Sequence, residues 1–120
     1  MYIKNAQSVE PLHSEHGEIV HELIGNAAGG TATYSVAEIV IPPGKAALKH
    51  YHPVVEESYY ILTGTGRMVM DDKTVTLKPG DALPILPNQV HQIFNDAETN
   101  LVLLAVCVPA WTPDNSVYLD

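Results

Sequence analysis

Proline, glycine, asparagine and aspartate interrupt this chain so regularly that no long helical window remains after residue 30. Between the interruptions lie short runs that are apolar or alternate apolar with polar residues. Thr31 to Ile41 is rich in β-branched residues and stops at Pro42-Pro43-Gly44. Ser58 to Thr63 ends at Gly64-Thr65-Gly66, and Arg67 to Met70 and Thr74 to Leu77 flank Asp71-Asp72-Lys73, a hairpin turn by composition. Lys78-Pro79-Gly80-Asp81 is a further turn. Ala82 to Leu86, Val90 to Phe94 and Asn100 to Val108 complete the set, the last continuous enough to be buried on both faces. Glu18 to Ile24 could form one helical turn or a further strand, with strand favoured. Many short strands at near-regular spacing predict an all-β antiparallel sandwich or barrel. No repeat, low-complexity tract or linker divides the chain, so residues 1–120 form one domain, with 1–25 and 109–120 as flanking arms packed on the barrel or on a dimer partner.

Composition narrows the partners. Apolar residues are 46% of the chain, enough for a real core. Six Lys and Arg against fourteen Asp and Glu leave a formal charge of -8. Such a surface repels phosphate backbones and anionic lipid, which argues against nucleic acid and membrane as partners. Cys107 is the single cysteine, so no intramolecular disulfide forms, and its apolar setting predicts a buried, inert thiol. No apolar stretch reaches the roughly 18 residues of a membrane span, and the N-terminal residues lack the shape of a signal peptide. The expectation is a cytoplasmic protein.

The chemistry-bearing residues are histidines set inside the β framework. His50-Tyr51-His52 places two imidazoles on one face of a strand, about 6.5–7 Å apart along the chain. That separation suits two ligands on one metal at roughly 2.0–2.1 Å each. Glu57 follows at a spacing that allows a bend into the next strand, and His91, after two more turns, could close the site from a neighbouring strand. Three neutral imidazoles and one carboxylate suit manganese, iron, nickel, zinc or copper rather than calcium or magnesium. A His-x-His pair alone is a weak signal, and what surrounds it carries the weight.

Gly44, His50, His52, Glu57 and Gly64 stand at every fixed position of the first cupin motif. Gly80-Asp81, Pro87, His91 and Asn95 resemble the second, although Leu86 stands where that family usually has proline and Asn88 where it has glycine. Asn tolerates the left-handed backbone a glycine would adopt there, so the turn before His91 is expected to survive. The resemblance implies a double-stranded β-helix, a jelly-roll barrel holding one divalent metal in its mouth. It also implies His50, His52, Glu57 and His91 as ligands. Glu56 is the rival carboxylate; strand parity and the spacing to Gly64 favour Glu57 and turn Glu56 outward. Small cupins often dimerise by exchanging an N-terminal strand, so a homodimer is expected.

The same parity faces Tyr59 and Ile61 inward with Glu57, and Ser58 and Tyr60 outward. Tyr59 would then put a phenol near the metal, as a catalytic group or as a core residue with a satisfied hydroxyl. A tyrosine two residues after the glutamate also occurs in cupin lyases that cleave dimethylsulfoniopropionate. Met68 and Met70 line the barrel, more as core filling than as site, with Arg67 and Val69 outward. His13, His16 and His21 have no matching partners and read as surface or interface residues. Trp111 is expected to pack on the barrel or on a second subunit. The resemblance leaves three functional readings for a small-molecule ligand. First comes oxygen-dependent, dioxygenase-like cleavage by iron or manganese, as in quercetinase-like cupins. The second is a redox-neutral lyase or isomerase using Tyr59, and the third a non-catalytic module that binds a sugar or metabolite.

Overall fold

The structure, a computed structural model, describes residues 1–119. The strands are β1 (Leu12–His13), β2 (Ile19–Ile24), β3 (Ser35–Ile41), β4 (His50–Tyr51), β5 (Glu56–Thr63) and β6 (Gly66–Met70). After them come β7 (Lys73–Leu77), β8 (Ala82–Ile85), β9 (His91–Phe94), β10 (Leu101–Val108) and β11 (Val117–Tyr118). A single 3₁₀ turn, Pro113–Asn115, is the one helical element among the described residues, and no helix there is long and apolar enough to cross a membrane. Two antiparallel sheets result, a six-stranded one in the order β1-β2-β3-β10-β5-β8 and a five-stranded one in the order β11-β4-β9-β6-β7. They face each other as a double-stranded β-helix, the jelly roll.

Turn chemistry explains where the strands stop. Asp71 and Asp72 both take positive φ, at 49° and 66°, the geometry of a two-residue hairpin turn whose twist matches the flanking strands. Lys73 therefore opens β7 rather than closing the turn. At Gly64, φ is 78° and an added Cβ would run into the Asn100 carbonyl, so only glycine fits between β5 and the start of β10. Asn88 does adopt the left-handed backbone, with φ of 70°.

Strand β5 alternates strictly, with Glu57, Tyr59 and Ile61 buried and Glu56, Ser58 and Tyr60 exposed. The core gathers the inward rows of both sheets, among them Ile41, Ile61, Met68, Ile85, Ile93 and Leu103. Met68 is fully buried in that core and Met70 packs against it, so both act as filling. Arg67 turns outward, stacks over Phe94 at 4.2 Å and pairs with Asp96 at 2.6 Å. One expectation is corrected. Strand β10 is not buried on both faces but alternates buried with half-buried residues. It is central because β3 and β5 flank its edges, yet only one of its faces meets the barrel interior, and the apolar row on the other side stays partly open.

The terminal segments also join the sheets. In the N-terminal one, β2 pairs with β3 and β1 with β2. In the C-terminal one, β11 pairs with β4, setting Tyr118 opposite His50. Trp111 is tied to the barrel: its backbone N–H donates to Ser35 Oγ at 2.9 Å and its indole N–H to Ser116 Oγ at 2.8 Å.

Candidate metal centre

Two sheets meet at the cluster. His50 lies directly opposite His91 in the β4–β9 pair, and Glu57 comes from β5 in the other sheet. His52 follows β4, and its carbonyl accepts the Asn88 N–H at 2.8 Å, which ties the turn before His91 to the His-x-His segment. One donor atom from each of His50, His52, Glu57 and His91 lies within 4.8 Å of all the others. His52, Glu57 and His91 are buried and His50 is half-buried. Glu56 is exposed on the opposite face.

Each imidazole is fixed by its other nitrogen. The Nδ1 of His50 sits 2.7 Å from the Leu48 carbonyl, that of His52 2.9 Å from the Asn115 carbonyl, and that of His91 2.9 Å from the Gln89 carbonyl. A carbonyl can only accept, so Nδ1 carries the hydrogen in all three rings and Nε2 is left to face the cluster. This is the outer-shell arrangement that orients histidines toward a metal. His91 Nε2 is buried and has no hydrogen-bond partner, although Glu57 Oε1 lies 3.4 Å away. An unpartnered buried nitrogen aimed at a carboxylate and two more imidazoles is what a divalent cation would satisfy.

The charges agree. Burial, then the neighbouring His91, lowers the pKa of His50 to about 4, so this ring is neutral at ordinary pH. Burial alone would raise Glu57, but the His52 and His91 imidazoles beside it hold it down at about 2. His52 Nε2 is 3.2 Å from Glu57 Oε1; burial works against its charged form, and that carboxylate outweighs burial and raises its pKa. The second carboxylate oxygen of Glu57 accepts from Cys107 Sγ at 3.4 Å. Burial, followed by the Glu57 charge, pushes the thiol's pKa up, so Cys107 serves as a donor that orients the glutamate.

The cluster opens on a cavity of about 390 Å³ inside the barrel, a size suited to a small organic molecule. Tyr59 is 2% exposed and lines it, its ring centroid 6.1 Å from that of His91. Burial, then Glu57, raises the phenol's pKa well above its usual value, so Tyr59 remains a hydrogen-bond donor. Glu18 and Glu22 also line the cavity. Neither was singled out from the sequence. The only signal was alternation in the expected strand from Glu18 to Ile24, which puts Glu18, Val20 and Glu22 on one face without saying which face turns inward. His13 and His16 are exposed and stand apart from the cluster, as does half-buried His21.

Jelly-roll topology with three histidines and a glutamate converging from its two sheets defines a recognisable class. The cupin-domain family model matches residues 37–107, and the chain belongs to the cupin family. An uncharacterised protein of Methanocaldococcus jannaschii is 31% identical over 112 residues, covering 93% of this chain and 90% of that one. An oxalate-binding protein of Thermotoga maritima is 31% identical over 107 residues, covering 76% of this chain and 88% of its own length. The crystal structure of a predicted oxalate decarboxylase from Thermotoga maritima superposes with a TM-score of 0.79 at 26% identity, over 91% of this chain and 99% of that one.

Proposed function

We propose that this protein is a metal-dependent enzyme acting on a small organic molecule, with one divalent transition metal held by His50, His52, Glu57 and His91. The carrying observation is the set of three imidazoles locked by Nδ1–carbonyl hydrogen bonds so that their Nε2 atoms converge with Glu57 beside the cavity. These four side chains would hold the ion beside the cavity, where it would supply Lewis-acid polarisation of a substrate oxygen.

Of the chemistries open to such a centre, the residues favour redox-neutral proton transfer, as in a lyase or isomerase. Tyr59 can donate a hydrogen bond to a substrate oxygen. Glu18, half-buried on the same cavity, has its pKa raised to about 7 by burial and then by Glu57, which poises it to take or give a proton at neutral pH. Oxygen-dependent cleavage, ranked first on the sequence, is the second reading. Its support is the apolar part of the cavity lining beside the cluster, Val20, Ala37, Ile39 and Ala105.

The two separate under nitrogen. Zinc-loaded protein, incubated anaerobically with a library of small hydroxy and keto compounds and followed by NMR, should still convert its substrate. Turnover only with iron or manganese, matched by oxygen uptake, would reject the redox-neutral reading. Affinity without turnover in either atmosphere would make the protein a binding module. The carboxylate assignment has its own check. Glu57→Gln should weaken metal binding by roughly tenfold or more, because it removes the one anionic donor. Glu56→Gln should leave binding within about twofold, since its side chain is outside the barrel. Equal losses in calorimetric titration would reverse the facing of β5.

A further inference from the structure

The cavity carries an unusual charge inventory for a protein whose relatives include an oxalate binder. Glu15, Glu18, Glu22 and Glu57 line it together with His13, His50 and His52, and none of the lining residues is Lys or Arg. Two of these carboxyls, Glu18 and Glu22, stand on one face of the β2 segment with Val20 between them. No hydrogen bond or ion pair engages either carboxyl among the described residues, and Glu22 Oε1 is fully buried without a partner. A buried acceptor left unpaired is costly, and an O–H or N–H from a ligand would satisfy it. The charge balance points the same way. Glu57 cancels one of the metal's two positive charges, and a Glu22 carboxylate adds a further negative charge to the same cavity.

We propose that the Glu18–Glu22 wall selects an uncharged small molecule that presents hydroxyl groups to these carboxyls, and turns away carboxylates and phosphate esters. The proposal rests on the metal centre argued above. The metal would hold one end of the ligand while the β2 wall reads the other. An incoming anion would meet the Glu22 carboxylate, and Glu18 in its ionised form, with no lysine or arginine to compensate.

Two hydroxamates differing only at the far end, one ending in a hydroxyl and one in a carboxylate, test this on the full zinc-loaded chain. Both carry the same metal-binding head, so calorimetric titration reads the wall. The hydroxyl probe should bind roughly tenfold or more tightly than the carboxylate probe. In the Glu18→Gln/Glu22→Gln double variant that gap should close to within about twofold, and Glu22→Gln alone should narrow it. Equal or tighter binding of the carboxylate probe overturns the proposal, as does a preference that survives in the double variant. Failure of both probes on zinc-loaded protein also overturns it, since the wall would then be closed to a ligand. Zinc content read in the same samples separates the two ideas: a wild type that takes up no zinc sinks the metal centre, whereas a full centre with the wrong preference sinks only the wall.

Discussion

His91→Ala should reduce bound metal from about one per chain to near zero, with His50→Ala and His52→Ala close behind, when protein purified without added metal is assayed for metal content. His91 is 1% exposed, and its Nε2 has no other partner to fall back on. The stability consequence follows by linkage. A ligand present at a thousand times its dissociation constant stabilises the fold by about 4 kcal/mol, which for a domain of this size is on the order of 10 °C in Tm. Stripping metal from the wild type with a chelator should cost the same, and that comparison separates lost metal from lost packing. If the stripped wild type and His91→Ala melt within a few degrees of each other, the loss belongs to the metal. His13→Ala and His16→Ala should keep both metal and Tm, because both side chains are exposed. Uniform behaviour of all five variants would sink the centre.

The same centre sets a pH dependence whose sign is fixed by its groups. The raised pKa of His52 means that a proton competes with metal for this ring at higher pH than for an ordinary imidazole. The lowered values of His50 and Glu57 mean that neither competes until well into acid. Apparent metal affinity should therefore rise with pH through the His52 titration and then level off. In the metal-free protein the sign is opposite for that one group. A raised His52 pKa contributes stability that is fully present below its unfolded value and is lost as pH rises through the folded value.

Most of this cluster of side chains was legible in the sequence, for a physical reason. Strand parity is local, so His50 and His52 had to share a face, and Glu57 rather than Glu56 had to join Tyr59 and Ile61 inside. Asn88 was legible too, because only a few residue types tolerate the backbone that the turn before His91 requires. What escaped was non-local. The carbonyls of Leu48, Gln89 and Asn115 orient the three imidazoles, and a carbonyl leaves no mark in sequence because every residue has one. Glu18 and Glu22 escaped because their inward facing depends on how β2 registers against β3, which periodicity within β2 does not reveal. The overstated burial of β10 has a similar origin. An uninterrupted apolar run is compatible with one covered face or two, and only the position of the neighbouring layer decides.

Tyr59→Phe should leave the fold and the metal intact and remove most of the turnover. The substitution deletes one hydroxyl and keeps nearly all of the ring packing against His91, so the stability change should be on the order of 1 kcal/mol. None of the four metal donors is touched, and metal content should stay near one per chain. The phenol is buried, borders the cavity, and is held protonated by burial and by the nearby Glu57 charge. In a redox-neutral reaction its hydrogen bond is needed where negative charge develops on a substrate oxygen, and the rate should fall by roughly 10²-fold or more. Substrate affinity should change far less, because a donor used mainly in the transition state acts on kcat. For an oxygenase, where electron transfer at the metal dominates, the loss should be milder. Tyr60→Phe is the control from the same strand: Tyr60 is 45% exposed on the outer face, and the variant's kcat should match wild type. Full activity in Tyr59→Phe would return this phenol to the core as packing. Loss in Tyr60→Phe with Tyr59→Phe unaffected would place the chemistry outside the barrel, away from the three imidazoles that converge inside it.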